Sequence, residues 1–242
     1  MRVLAINGSP RAEKGNTALI LEPFLDGMKT GGAEVELVYT QKMNILPCQG
    51  EYHCWFKKPG VCFQKDDMQE LLPKLSKADV LVLATPLYVD GMTGPLKNLL
   101  DRVIPIAEPT IELRDGRCRH PAREGANKAG KLVLVSNCGF WGEANFDPLI
   151  THVQAICQNL SREYSGALLR PHGAALKAMM DQGMSVDAIF EAAREAGRQL
   201  AETGAMETET LEKIRHPLIP QQPYVAIVNQ YIQGLLASCE DA

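Results

Sequence analysis

AINGSPRAEKGNT, from Ala5 to Thr17, is the stretch on which the reading of this chain turns. A short apolar run ends at about Asn7 in small, polar and basic residues, and a helical pattern begins near Asn16. Buried strand, loop and helix start therefore follow one another directly. A loop between a strand end and a helix start suits an anion, because the first turn of a helix offers free backbone N–H groups.

The same pattern recurs along the chain. Strand-like runs are expected at Arg2–Ile6, Glu34–Tyr39, Val80–Ala84, Lys131–Ser136 and Ser165–Leu169. Helical stretches are expected at Asn16–Thr30, Asp67–Ser76, Gly94–Ala107, Phe146–Leu160 and Val186–Thr203. Short apolar runs alternating with helices predict a parallel sheet covered on both faces. The fold class is therefore α/β, a three-layer doubly wound sandwich. Its five-stranded sheet takes the flavodoxin-like order 2-1-3-4-5. Pro23 removes a helical hydrogen bond, so the first helix is expected to kink or start late.

Bulk properties narrow the function classes. The 242 residues are 45% hydrophobic and 22% charged, with a formal net charge of −4. That balance fits one globular domain with an appendage and lacks the basic stripe of a nucleic-acid binder. No apolar run is long enough for a membrane span, and the N-terminal run is too short for a signal peptide. Seven cysteines, an odd number, argue against a disulfide framework and for a cytoplasmic chain with free or metal-bound thiols.

The domain reading is 1–203 for the sandwich and 204–242 for a linker and C-terminal helix. HPLIPQQPY reads as a proline-rich linker. Beyond it Tyr224, Ile227, Val228, Tyr231, Ile232 and Leu235 fall at helical spacing. That apolar stripe needs cover, from its own domain or from a partner subunit. Two loops, Gln41–Lys65 and Glu108–Gly130, are longer than connectors need to be, and Asp115-Gly116 in the second signals a hairpin.

In a doubly wound sheet, ligands sit outside the carboxyl ends of the strands where the order reverses, which is where Gly8–Thr17 falls. Ser9, Asn16 and Thr17 offer hydroxyl and amide groups, and Arg11 a planar charged fork. Asn16 or Thr17 as a plain N-cap is the alternative. The loop matches neither G-x-x-x-x-G-K-[ST] nor G-x-G-x-x-G, so triphosphate hydrolysis and a dinucleotide fingerprint are unsupported. A phosphate monoester suits it better. A second stretch, ATPLYVDGMTGPLKNLLDR (Ala84–Arg102), follows the third strand on the other side of the same crevice.

With these pieces, GSPR…GNT and TPLY…G.LKN..DR, and with SNCGF after the fourth strand, the chain resembles the NADPH-dependent FMN reductase and iron–sulfur flavoprotein branch of the flavodoxin-like superfamily. The resemblance spans roughly Met1 to Thr203. It implies FMN as cofactor, with Ser9, Arg11, Asn16 and Thr17 at the 5′-phosphate. Pro86, Leu87, Tyr88 and Val89 would border the isoalloxazine ring, and Asn137, Cys138 and Gly139 its other rim. It also implies NAD(P)H as co-substrate and a homodimer or homotetramer with FMN near a subunit interface.

The iron–sulfur members carry four cysteines in the loop after the second strand. This chain has Cys48, Cys54 and Cys62, with Glu51 where the second cysteine belongs. A carboxylate is a poor substitute for thiolate on soft iron, so no iron–sulfur cluster is expected. Zinc on the three cysteines with His53 or Glu51 is the other metal reading, and it is less favoured still because the spacing holds no paired C-x2-C. The loop is read instead as a flavin cover with free thiols, Trp55 and Phe56 packing on the cofactor or a neighbour. His152 and His172 are isolated, and no catalytic triad or H-E-x-x-H is present, so no catalytic side chain is assigned; a flavin ring itself carries hydride chemistry. The expected function is an FMN-dependent oxidoreductase taking hydride from NAD(P)H and reducing a quinone, a flavin or another small acceptor. The alternatives are a non-enzymatic FMN electron carrier and an iron–sulfur flavoprotein relaying through the cysteine loop.

Overall fold

The structure, a computed structural model, describes residues 1–240. In chain order it comprises β1 (Arg2–Asn7), α1 (Asn16–Thr30), β2 (Glu34–Tyr39), α2 (His53–Phe56), α3 (Met68–Lys77), β3 (Val80–Pro86) and α4 (Gly94–Asp101). There follow β4 (Glu112–Arg114), β5 (Arg117–Arg119), β6 (Lys131–Asn137), α5 (Asp147–Leu160), β7 (Glu163–Arg170), α6 (Gly173–Asp181), α7 (Asp187–Thr203), α8 (Thr208–Arg215) and α9 (Gln221–Glu240). Five strands form one parallel sheet in the order β2-β1-β3-β6-β7. With the small β4–β5 hairpin set aside, this is the expected 2-1-3-4-5. The hairpin turns at Asp115-Gly116, both at positive φ, as its turn type demands.

Alternation along the strands divides the core between the two faces. Val3, Ala5, Val80, Val82, Val133, Val135 and Leu168 face α1 and α7, meeting Ile20, Phe24, Met28, Ala193 and Ala196. Leu4, Ile6, Leu81, Leu83, Leu132 and Leu134 face α3, α4 and α5, meeting Leu71, Leu75, Leu96, Leu99 and Val153. Burying each such large side chain contributes about 1.5–3 kcal/mol. Helices α1 and α7 approach backbone to backbone. A Cβ on Gly27 would lie 1.8 Å from the Arg194 carbonyl oxygen, and one on Gly197 would lie 2.0 Å from that of Phe24.

Several expectations need correction. Pro23 neither delays nor interrupts α1, which runs unbroken from Asn16 to Thr30. Helix α4, expected to reach Ala107, stops at Asp101, and a 3-10 turn at Ile104–Ile106 carries the chain on around Pro105. The stretch after Thr203 is no bare linker. It contains α8, whose Ile214 is fully buried against the α1–α7 face.

A buried polar corner fastens this segment to the sheet. Arg170, fully buried at the end of β7, donates to the carbonyls of Pro171, Ile214 and His216 and to His172 Nε2. Leu218 N–H donates to the same nitrogen at 3.0 Å, so the His172 proton is assigned to Nδ1. Burial, and then the Arg170 charge, push His172 down to about 4. Burial lowers Arg170 only to about 10. Beyond the corner Trp141 Nε1 donates to the Ile219 carbonyl and the Tyr224 hydroxyl to that of Gly139, docking the first turn of α9. The rest of α9 does not fold back: Val225, Ile227, Tyr231, Ile232, Leu235 and Leu236 are exposed.

Candidate functional site

The carboxyl ends of β1, β3 and β6 are tied together by hydrogen bonds that shape the crevice floor. Gly8 N–H donates to the Ala84 carbonyl at 2.7 Å, and Thr93 Oγ1 donates to the Gly8 carbonyl at 2.7 Å. Leu87 N–H donates to the Asn137 carbonyl at 2.8 Å, and the Ser136 hydroxyl to that of Thr85. Gly8 lies so close to α4 that a Cβ would stand 2.8 Å from that of Leu96.

Above this floor the Ser9–Thr17 loop turns tightly. Ser9 is buried, its N–H bonded to Asn7 Oδ1, while its hydroxyl accepts from Arg11 N–H. A Cβ on Gly15 would sit 2.4 Å from Ser9 Oγ, so glycine keeps this concavity open. No side chain caps α1, and its first turn holds no acid; its positive pole is left for a ligand. The plain N-cap alternative for Asn16 and Thr17 does not apply, because both lie inside the helix and Gly15 is the capping residue. Arg11 is exposed and Asn16 half-buried at the loop's mouth. Thr17 is buried and donates its hydroxyl to Asn137 Oδ1 at 2.6 Å. That bond joins the start of α1 to the end of β6, and it leaves the Thr17 hydroxyl no proton for an anion.

On the β3 side Pro86 is buried, Leu87 half-buried, and Tyr88 half-exposed. Tyr88 to Gly91 close a two-residue hairpin turn with paired hydrogen bonds, and Val89 and Asp90 carry φ of 47° and 57°. Such turns favour Asn and Gly. A β-branched residue there is strained, yet Val89 is fully solvent-exposed at the tip. On the β6 side Asn137 and Cys138 are buried and Gly139 exposed. Burial raises the Cys138 thiol pKa, and its sulfur donates to the Phe140 carbonyl, so it sits as an inert wall. Asn7 was missed by the sequence reading. Buried at the end of β1, it leaves Nδ2 without a partner among the described residues; a polar residue closing an apolar run was the available signal.

The cysteine loop lies elsewhere. Asn98 Nδ2 holds the Ile45 carbonyl, and Arg102 holds that of Leu46 while forming a two-pronged pair with Asp66. Both charged side chains are at most 1% exposed. Trp55 Nε1 donates to the Ala107 carbonyl and its ring packs on Tyr52 and His120. Together they wall a cavity of about 290 Å³ with Ser76, Leu160 and Arg162, residues that precede β3 and β7. The loop therefore runs toward the amino ends of the strands, and Trp55 does not cover the crevice of its own chain; of its two expected partners, only a neighbouring subunit is left.

An iron–sulfur cluster does not fit this loop. Cys48, Glu51, Cys54 and Cys62 line a cavity of only about 20 Å³, room for one water. The Glu51 carboxylate is bonded to His53 N–H. No group of three or more His, Cys, Asp or Glu among the described residues is placed to hold a metal ion.

Known proteins similar to this chain include flavoproteins. An iron–sulfur flavoprotein of Archaeoglobus fulgidus is 41% identical over 102 residues, 42% of this chain and 48% of its own length. An NADPH-type FMN reductase of Escherichia coli is 32% identical over 101 residues, 42% of this chain and 47% of its own. The matched stretch thus spans about half the length of these curated relatives. An FMN-dependent NADH-azoreductase of Bacillus anthracis, solved with FMN, shares the fold at a TM-score of 0.59 and 15% identity, over 84% of this chain and 99% of its own. The NADPH-dependent FMN reductase family matches residues 1–140, a span that includes both crevice motifs and the end of β6, and the chain belongs to that family.

Proposed function

We propose that the crevice binds FMN and that the protein is an oxidoreductase taking hydride from NAD(P)H and reducing a quinone, a flavin or another small acceptor. The Thr17–Asn137 hydrogen bond carries this reading most strongly, because it sets an uncapped helix start and a flat-walled rim at one fixed spacing. FMN, when bound, supplies the ring that accepts and passes on hydride.

The chain's own groups do the rest. Arg11 and Asn16, with the N–H groups of the first turn of α1, would hold the phosphate dianion, and Ser9 would line the loop beneath it. Thr17 would contribute its backbone N–H, its hydroxyl being committed to Asn137. The unpartnered Asn7 Nδ2 under this loop is a spare donor for the same ligand. Pro86, Leu87, Tyr88 and Val89 would flank the ring, with Asn137, Cys138 and Gly139 on the opposite rim. The absorption spectrum of the purified protein and the flavin it releases on denaturation test the cofactor. Steady turnover of NADPH or NADH with a quinone separates an enzyme from an electron carrier, which would exchange electrons with a protein and show no such turnover.

The exposed stripe of α9 supports a homodimer or homotetramer. Each large side chain buried there would contribute about 1.5–3 kcal/mol. No charge interrupts the helix from Gln221 to Cys239, and no described helix is long and apolar enough to cross a membrane. Light scattering on the full chain and on a chain ending at Pro220, which keeps α8, tests the role of the arm: loss of the oligomer on truncation is expected. A cytoplasmic location accords with cysteines that are all free.

A further inference from the structure

The cysteine loop keeps three thiols around one cavity but has no use for them in holding itself together. Arg102 and Asp66 do that work. Each Asp66 oxygen accepts from the guanidinium, one also from Leu46 N–H and the other from Met68 N–H. The same guanidinium donates to Cys62 Sγ at 3.2 Å, which fixes that sulfur at the cavity wall. Arg102 Nε and Gln64 Oε1 are buried there without partners among the described residues.

Cys54 is brought to the same point by local geometry. Gly60, at φ 80°, folds back so that its N–H bonds the Cys54 carbonyl at 2.9 Å, and Cys62 follows two residues later. Cys54 is buried, Cys62 half-buried and Cys48 exposed, and none of them is in a disulfide. Burial raises the Cys54 thiol pKa, and the neighbouring Cys62 adds to it more than Cys48 does. The three thiols therefore differ in role. Cys62 and Cys54 line one cavity, Cys62 beside the guanidinium as the more exposed residue and Cys54 as the more enclosed.

We propose that Cys62 and Cys54 form a peroxide-responsive thiol pair that closes a reversible disulfide across this cavity. Cys62 sulfur, as thiolate, attacks one oxygen of hydrogen peroxide. The O–O bond breaks, the departing hydroxide takes up the proton that Cys62 gave to solvent and leaves as water, and Cys62 becomes a sulfenic acid. Cys54 sulfur then attacks Cys62 sulfur. The S–O bond breaks, the hydroxyl leaves as water with the Cys54 proton, and the disulfide remains. Two thiols and one peroxide thus give one disulfide and two waters. A small dithiol reverses the step by exchange through a mixed disulfide. None of the residues assigned to the flavin lines this cavity, so this inference does not depend on the flavin reading.

The test uses the full chain, reduced, desalted and treated with stoichiometric hydrogen peroxide. Free thiols are then blocked with N-ethylmaleimide in acid and peptides read by mass spectrometry. Trypsin cuts after Lys57 and separates Cys54 from Cys62, so the bond appears as two linked peptides, with fragmentation distinguishing Cys54 from Cys48. Loss of two of the seven thiols, a Cys54–Cys62 link and its disappearance with dithiothreitol are expected. Cys62→Ser should abolish the link and Cys48→Ser should leave it. The proposal is overturned if all seven thiols survive, if Cys62 pairs with Cys48, if Cys62 runs on to sulfinic acid, or if anaerobically purified protein carries stoichiometric iron and sulfide.

Discussion

The crevice and the cysteine loop are both built from irregular backbone, yet they are held by different means. The crevice hangs on strand ends whose register the sheet already sets, and two side-chain bonds, Thr93 to the Gly8 carbonyl and Thr17 to Asn137, tie the β1 loop to the β3 and β6 sides. The cysteine loop has no register to inherit. Its shape depends on a buried ion pair between residues 36 positions apart. One region is positioned by the scaffold and can leave polar groups free for a ligand. The other uses most of its charged groups' hydrogen bonds in holding itself.

Removing the loop's anchor should break it most severely. Asp66→Ala strands a buried guanidinium, a loss of about 3–5 kcal/mol, or roughly 10 °C in Tm for a domain of this size. Denaturant melts would show the loss, and faster alkylation of Cys54 would locate it. Burial works to raise the Asp66 pKa, but the bonds from Arg102, Leu46 and Met68 outweigh it and hold the carboxyl below its ordinary value. Its contribution is thus complete at neutral pH and fades as pH falls below about 4, the unfolded carboxylate range. Melts of the wild type in acid should show this slope, and Asp66→Asn should flatten it.

The crevice should answer to substitution through its ligand. Arg11→Ala removes a charge-assisted contact worth about 1.5–3 kcal/mol and should weaken FMN while leaving riboflavin, which lacks the phosphate, nearly unchanged. Equal losses for the two ligands would remove Arg11 from the phosphate site. Thr17→Val should leave the buried Asn137 Oδ1 unpaired, a cost of about 1–3 kcal/mol in stability, with weaker binding of riboflavin as well as FMN because the rim is displaced. The smallest effect is expected at the strained tip. Val89→Asn suits a left-handed turn position and should stabilise the apoprotein by about 1 kcal/mol or less, readable as a small rise in Tm.

The contrast between the two regions also explains what the chain made legible. The runs around Val82 and Val133 are buried on both sides, so their apolar character alone marked strands. Asp115-Gly116 marked its hairpin through backbone preference. Helix α8 escaped because TETLEKIR is mostly polar and rests on Thr210 and Ile214 for its buried face. The crevice residues were named because they stand at strand ends, where topology puts ligands, whereas the Thr17–Asn137 bond that joins them spans 120 positions. The path of Gln41–Lys65 toward the amino ends of the strands depends on Asn98, Arg102 and Ala107, none of which advertises such a partner locally.

Arg170 carries one last consequence. Its guanidinium is surrounded by carbonyl oxygens and a neutral imidazole, with no carboxylate bonded to it among the described residues. With its own pKa near 10 and that of His172 near 4, this corner holds one positive charge across that whole interval. Because burial keeps water from screening it as it would a surface charge, the carboxyl end of β7 sits in a standing electric field that no titration within that interval switches off. On the proposed reading, an electron arriving on FMN over the neighbouring β6 rim would meet a cation already in place.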